Sequence, residues 1–148
     1  MQSAMARFEA EFNPKVADAL REYTKAGGFP SKLGITVDKV EPGSIVCSLK
    51  IRPEDHCSSV GVVHGGVIAS LIDHTLSLAV YPLVEVGKWV ATVEFKTNYL
   101  GWVKEGTLVA TGTVETLRRK IAVARVAVTN GDETVALAQG TLYVRDRA

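Results

Sequence analysis

The sequence predicts one α+β domain in which a curved antiparallel β-sheet wraps around a long central helix, with a further helix at the N-terminus. Three observations lead to this prediction: a nearly all-apolar helical stretch over residues 62–79, apolar alternation with a period of two, and turn signals that join neighbouring strands. A helix that is apolar nearly all round has to be buried, so the sheet is expected to curl over it. The chain of 148 residues is long enough for one domain with its own core.

The elements follow one another in a simple order. Asn13 and Pro14 are an N-cap and first-turn pair, which predicts a helix that stops at Gly27 and Gly28. Residues 1–30 are therefore expected to form a helical extension of the single domain 1–148, with an earlier turn of helix or a frayed tail in residues 1–12. The remaining predictions are a hairpin around Pro42-Gly43, a polar loop over 52–61, the central helix over 66–83, and β-segments over 89–100, 107–117, 121–129 and 133–144.

Composition excludes several classes of function. The formal net charge of +1 lacks the basic excess of a general nucleic-acid binder. Acidic residues stand in the first twelve positions where a signal peptide needs an apolar core, and Asp73 and His74 interrupt the longest apolar stretch, so neither export nor a membrane span is expected. Cys47 and Cys57 do not make a disulfide framework. We therefore expect a cytoplasmic protein with reduced thiols.

A carboxylate inside the central helix is the strongest candidate for chemistry. His64, Gly65 and Gly66 open this helix, and Asp73 lies nine residues after His64 among Ile and Leu residues. An ionised carboxylate in apolar surroundings costs several kcal/mol unless something compensates, so a chain that keeps it is expected to use it. Asp73 is a candidate general base, which would activate a water, or a candidate nucleophile, which would form a mixed anhydride.

The two glycines suit an oxyanion site at the start of the same helix. Without side chains, Gly65 and Gly66 let a ligand approach the free N–H groups at a helix N-terminus, where the helix dipole favours negative charge. One such donor to the oxyanion of a reacting carbonyl is worth about 3 kcal/mol. A tight turn that packs the helix on a strand would explain the same glycines without any chemistry.

At this point the sequence resembles a known family. The stretch GVVHGGVIASLIDHTLSLA, the strand TVEFKTNYL and the Val103–Gly106 turn are similar to those of hotdog-fold acyl-CoA thioesterases, over roughly residues 33–145. The nearest groups are the phenylacetate-pathway thioesterases and the 4-hydroxybenzoyl-CoA thioesterase type. The resemblance implies hydrolysis of an aryl, phenylacetyl or medium-chain acyl-CoA to a carboxylic acid and CoA. It also implies paired sheets in a homodimer or homotetramer, and no cofactor beyond the CoA of the substrate.

The resemblance also assigns roles to single residues. It gives the oxyanion donor to the Gly65 amide, a hydroxyl beside the acid to Ser77, and a second hydroxyl, from the following strand, to Thr92. For His64 a ring hydrogen bond that shapes the loop is favoured over direct proton transfer. Candidate substrate-binding residues are Gly66 and the basic turn Arg118, Arg119 and Lys120, with Arg145 and Arg147 as weaker candidates. The turn would anchor the phosphates of CoA, and a solvent-exposed hairpin tip explains it equally well.

Ser58 is a departure from the family pattern. The family usually has Asn or Gln six residues before the His, where the amide holds the attacking water or the carbonyl, and this chain has Ser58. A shorter hydroxyl would have to act through a bridging water or not at all. A one-residue slip of the alignment would place Cys57 there instead.

Helix geometry constrains how the candidates combine. Eight residues separate Gly65 from Asp73, which is about 12 Å at 1.5 Å per residue. One thioester carbonyl cannot lie about 3 Å from both. The two groups must then come from different helices, and a twofold dimer with antiparallel central helices would supply them. This predicts two equivalent sites per dimer and an inactive monomer.

Other functions remain as alternatives. A hotdog hydratase or dehydratase acting on acyl thioesters would pair a catalytic His with an acid in motifs that are not found here. A non-catalytic acyl-CoA-binding module would gain nothing from a buried Asp73. A Cys57–His64 nucleophile pair lacks an orienting third residue, and His74 points about 100° away from Asp73 on a helix. The spacings of His56, His64 and His74 match no metal-ligand pattern.

Overall fold

The structure is a computed structural model that describes residues 7–147. Its helices are α1 (Pro14–Lys25), α2 (Gly28–Leu33), α3 (Pro53–His56) and α4 (Gly65–Val80), the last continued by a 3-10 turn over Tyr81–Leu83. Its strands are β1 (Ile35–Glu41), β2 (Ser44–Lys50), β3 (Lys88–Tyr99), β4 (Thr107–Arg118), β5 (Ile121–Asn130) and β6 (Glu133–Asp146).

The strands form one sheet around the central helix, which confirms the predicted α+β architecture. Within residues 7–147, six strands pair in the order β1-β2-β4-β5-β6-β3, and every pair is antiparallel. Helix α4 contacts all of the strands from β2 to β6, so the sheet covers it along its length. Leu71, Ile72 and Leu76 of α4 are fully buried between helix and sheet. Burial of apolar side chains between helix and sheet stabilises the fold.

Helix α4 is the most apolar helix of the described part of the chain. With its 3-10 extension it runs from Gly65 to Leu83, and by length and composition alone it could cross a membrane. However, 61% of its most apolar window is buried inside the fold, as in the core helix of a folded domain.

Two short helices lie where the sequence predicts a helix stop and a loop. Gly27 and Gly28 do follow the end of α1, with φ angles of +123° and +79°, but the chain then makes the short helix α2. Helix α3 begins at Pro53, at a position where a helix needs no N–H donor. Both helices are one or two turns long, too short to leave a periodic apolar pattern. Of the predicted N-terminal turn or tail, residues 1–6 lie outside the described residues, and Phe8 is buried against the core.

A β-bulge in β3 decides which side chains face α4. The pairing of β3 with β6 shifts register between Thr92 and Glu94. As a result Thr92 lies opposite Leu142, and Phe95, three residues on, lies opposite Gly140. Residues directly opposite each other share a face of the sheet, so Thr92 and Phe95 both face the helix. A strict alternation would have put them on opposite faces.

Gly140 should be intolerant of a side chain. A Cβ there would lie 2.9 Å from the Glu94 backbone oxygen, 2.8 Å from the Phe95 Cβ and 2.9 Å from Leu76 Cδ1. We expect Gly140→Ala to lower the free energy of unfolding by about 1–3 kcal/mol, as overpacked cores do. Urea denaturation measures this, with Gln139→Ala at the neighbouring exposed position as the control. A Gly140→Ala value within about 0.5 kcal/mol of the wild type would contradict the packing described here.

Candidate active site

His64 and the two glycines build the start of α4 together. His64 is the N-cap residue, and its ring Nδ1 accepts a hydrogen bond from the Gly66 amide at 3.0 Å. Glycine at position 66 suits this cap, since a Cβ there would lie only 3.0 Å from the same Nδ1 and would crowd the ring. The Val67 amide donates to the His64 carbonyl at 2.9 Å. His64 thus shapes the loop with its ring, and the Gly66 amide, which was predicted to contact substrate, is already occupied.

The Gly65 amide is the free donor at this helix end. Among residues 7–147 no protein atom accepts a hydrogen bond from it. The Tyr99 hydroxyl donates to the Gly65 carbonyl at 2.9 Å, and a Cβ at Gly65 would lie 3.3 Å from the Tyr99 ring. Tyr99 therefore fixes the peptide that follows the free amide. This N–H can serve a carbonyl oxygen that develops negative charge.

Asp73, Ser77 and Thr92 form a second polar group, further along α4. Asp73 and Ser77 are four residues apart on one face of the helix. The Ser77 and Thr92 hydroxyl oxygens are 3.2 Å apart, a contact that depends on the β3 bulge. Asp73 Oδ1 is buried and has no hydrogen-bond partner within the described residues. A buried carboxylate oxygen without a donor calls for a water, a ligand or another chain to supply one.

One chain does not bring these two groups together. The segment from Gly65 to Asp73 is continuous helix, so the predicted separation of about 12 Å stands. The contacts of β3 agree with it, because Tyr99 touches Gly65 at one end of α4 and Thr92 touches Ser77 near the other. The oxyanion donor and the carboxylate of a single chain therefore cannot act on one carbonyl carbon.

Ser58 lies in the loop that precedes His64, and its hydroxyl oxygen is buried without a partner in residues 7–147. The loop is closed by a bridge between Cys57 and Val63 and by a hydrogen bond from the Ser58 amide to the Val62 carbonyl at 2.8 Å. This hydroxyl can bind a water or a ligand oxygen, as the predicted role requires. The Ser70 hydroxyl, by contrast, donates to the Gly66 carbonyl at 2.7 Å, so its hydrogen bond is made within α4.

His74 faces the N-terminal helix rather than its neighbour Asp73. Its Nε2 lies 3.2 Å from the hydroxyl of Thr24, a buried residue of α1. Burial lowers the pKa of His74, and the nearby charge of Asp73 opposes this shift. The ring is therefore held in its neutral form and ties the helical extension to the helix that carries Asp73.

The basic turn lies beyond the C-terminal end of α4. Arg118, Arg119 and Lys120 are exposed, and Arg119 has a left-handed φ of 54°. Arg119, Lys120 and Arg145 line a cavity of about 430 Å³ that also reaches Leu83, at the end of the 3-10 turn. Arg147 lines a different cavity, against α1. The turn therefore presents positively charged side chains that can bind an anion. Arg145 lines the same cavity and Arg147 does not, so Arg145 is the better placed of the two.

The cysteines do not form a catalytic pair with histidine in the described chain. Cys57 and His64 line one cavity of about 320 Å³, but the Cys57 thiol donates weakly to the Lys104 carbonyl at 3.8 Å. Burial raises the pKa of the Cys47 thiol to about 12, which leaves it unreactive. Across residues 7–147 no three His, Cys, Asp or Glu side chains are grouped to hold a metal.

The sequence did not single out Tyr99 or Thr24. The only signal for Tyr99 was its place at the end of a strand with an exposed edge, and Thr24 stood among the polar positions of an amphipathic helix. Both act through contacts with α4 that depend on tertiary packing.

Comparisons with known proteins agree on one family. A model described as the Thioesterase superfamily matches residues 60–137. Acyl-coenzyme A thioesterase 13 of Homo sapiens is 30% identical over 125 residues, covering 83% of this chain and 88% of the relative. A 1,4-dihydroxy-2-naphthoyl-CoA hydrolase of Listeria monocytogenes is 28% identical over 107 residues, covering 72% of this chain and 85% of the relative.

Solved structures give the same result. A thioesterase from Haemophilus influenzae superposes with a TM-score of 0.80 at 26% identity, covering 86% of this chain and 88% of its own. The zebra fish thioesterase superfamily member 2 superposes with a TM-score of 0.75 at 27% identity, covering 85% of this chain and 96% of its own.

The lowered pKa of His74 should make stability depend on pH. In the unfolded chain His74 takes up a proton near pH 6.5, whereas in the folded chain it does so only at lower pH. The contribution of neutral His74 to the free energy of unfolding is therefore fully present above pH 6.5 and is lost as the pH falls below it. His56, whose pKa burial also lowers, adds to the effect. In urea denaturation between about pH 7.5 and pH 5.5 we expect His74→Gln to lose less stability than the wild type. Equal losses in the two proteins would contradict a buried, neutral His74.

Proposed function

We propose that this chain, which belongs to the Thioesterase superfamily and is a thioester hydrolase, cleaves aryl, phenylacetyl or medium-chain acyl-CoA to a carboxylic acid and CoA. The observation that carries the proposal is the free Gly65 amide at the N-terminus of α4. The partnerless carboxylate of Asp73, eight residues along the same helix, supplies the second half of the chemistry. Both the aromatic and the aliphatic acyl groups fit the apolar surroundings of α4.

The reaction needs one donor and one carboxylate. The Gly65 amide donates to the thioester oxygen and polarises the carbonyl. In the general-base route, Asp73 takes a proton from water while the water oxygen bonds to the carbonyl carbon. The oxyanion that forms accepts a hydrogen bond from the Gly65 amide. Its collapse breaks the carbon–sulfur bond, and the CoA thiolate leaves with the proton. In the nucleophilic route, the Asp73 carboxylate bonds to the carbonyl carbon and the CoA thiolate leaves, which gives a mixed anhydride; water then hydrolyses the anhydride, releases the acid and restores Asp73.

Each site is proposed to combine Gly65 of one subunit with Asp73 of the partner subunit. Strand β3 is an edge strand that pairs only with β6 in the described chain, so it can pair with a second copy. Because α4 runs antiparallel to its own β3, antiparallel pairing of two β3 strands also sets the two α4 helices antiparallel. A twofold axis near Phe95 and Lys96 would bring Tyr99 and Gly65 beside the partner's Asp73. Pairing of two such dimers would give the homotetramer.

The remaining predicted residues fit around this shared site. Ser77 and Thr92 would orient the carboxylate or the water, and the buried Ser58 hydroxyl would hold the water from the other side. In an antiparallel dimer the turn Arg118–Lys120 lies near the partner's Gly65 end, where it can bind CoA phosphates. Water and a carboxylate suffice for the reaction, so the proposal includes no metal or redox cofactor. We also propose that the protein is a single-domain enzyme of the cytoplasm.

Replacement of Gly65 by proline tests the oxyanion donor, because proline has no N–H but can occupy the first position of a helix. Gly65 is the first residue of α4, where proline is well tolerated, and His64 before it has φ −64° and ψ 134°, which suits a following proline. Gly65→Pro replaces the amide hydrogen with a ring carbon and adds a Cβ, so the donor is lost, and we expect kcat to fall by about 10²–10³-fold. Free thiol release from benzoyl-, phenylacetyl- and octanoyl-CoA measures this.

Gly65→Ala is the matched control. It adds the same Cβ against the Tyr99 ring but keeps the N–H, so its loss of kcat should be much smaller. Similar rates for the proline and alanine variants would remove the Gly65 amide from the chemistry. Absence of thiol release from every ester by the wild type would refute the proposed substrates.

A further inference from the structure

Two cavities lie end to end along one side of α4. Gly66, Val67 and Ser70 line the first, of about 320 Å³, and His74, Ser77 and Leu78 line the second, of about 420 Å³. These residues belong to successive turns of the same helix. The distance from Val67 to Leu78 is about 16 Å along the helix axis. Together the cavities form a groove beside α4.

The outer side of this groove comes from the N-terminal extension. The end of α1 contributes Tyr23 to the second cavity, the turn after it contributes Gly27, and the start of α2 contributes Gly28 and Phe29. Of the residues that line the two cavities, Phe29 of α2 is the one that lines both. The hydrogen bond between Thr24 and His74 anchors the extension to α4 at the same level.

The groove adjoins the carboxylate of the proposed reaction. Ser77, which lines the second cavity, is one helical turn from Asp73. The second cavity also contains the aromatic rings of Tyr81 and Trp89, and its walls are mainly apolar. Tyr23 and Phe29 are each 63% exposed, so their rings leave apolar surface open to an occupant of the groove.

We propose that the end of α1 and the start of α2 form the outer wall of the acyl-binding groove and that Phe29 sets the length of the straight-chain acyl group that the second cavity accepts. The assignment rests on the proposed function, because it takes the groove beside Asp73 as the acyl site. An acyl tail that enters beside Ser77 fills the second cavity until it meets the Phe29 ring. A longer tail has to displace that ring or remain in water.

Binding of non-hydrolysable S-alkyl-CoA thioethers tests the assignment without any turnover. The chain has two Trp residues, and Trp102 is 86% exposed on the β3–β4 connection. In a Trp102→Phe background, the fluorescence of Trp89 therefore reports on the second cavity. Across tails of about four to about sixteen carbons, we expect affinity to rise up to about fourfold per methylene and then to level off. In Phe29→Ala the rise should continue for about two to four more carbons, and in Phe29→Leu for fewer.

Leu137→Ala is the matched control, since it removes an exposed apolar side chain from β6 that lines neither cavity. Its profile should equal that of the wild type. Identical profiles for Phe29→Ala and the wild type, or an equal shift in Leu137→Ala, would overturn the role of Phe29. Thiol release from the corresponding acyl-CoA esters is measured in parallel. A wild type that binds thioethers with the expected length limit but releases no thiol would refute the proposed hydrolysis and leave the role of Phe29 supported.

Discussion

The rise of the α-helix sets the distance between Gly65 and Asp73, and the proposed site depends on it. Both residues belong to α4, whose sixteen residues are one continuous helix packed under the sheet. A buried helix cannot bend enough to bring two points about 12 Å apart onto one carbonyl. The proposed chemistry is therefore divided between two separate points on the helix. A second chain, running in the opposite direction, is the simplest means of joining the two halves.

The same residues that shape the helix start also prepare it for chemistry. The His64 ring takes the Gly66 amide and the His64 carbonyl takes the Val67 amide, which leaves the Gly65 amide as the donor without an acceptor. The free Gly65 N–H belongs to the same peptide as the His64 carbonyl, which the Val67 amide holds, and Tyr99 holds the carbonyl of the next peptide from the sheet side. Preorganisation of this kind avoids reorganisation of the donor during the reaction. In this way the helix cap also forms the proposed oxyanion site.

The sequence predicted the features that leave a periodic pattern or a turn signal. The central helix, the hairpin of β1 and β2, and strands β3 to β6 all follow from apolar spacing. Helices α2 and α3 are too short for such a pattern. The bulge in β3 depends on how that strand pairs with β6, so alternation could not assign Thr92 to the helix face. Thr92 was predicted through the family resemblance, whereas Tyr99, Thr24 and Phe29 act through tertiary contacts that no local pattern records.

A mixed dimer tests the shared site most directly. Chains carrying Asp73→Asn and chains carrying Gly65→Pro are labelled with different affinity tags, allowed to exchange subunits, and purified for dimers that contain one of each. Such a dimer has one site with both defects and one with neither, so it should recover about half of the wild-type kcat per dimer. Each parent dimer should remain nearly inactive. A mixed dimer no more active than its parents would contradict a site built from Gly65 of one subunit and Asp73 of the partner subunit.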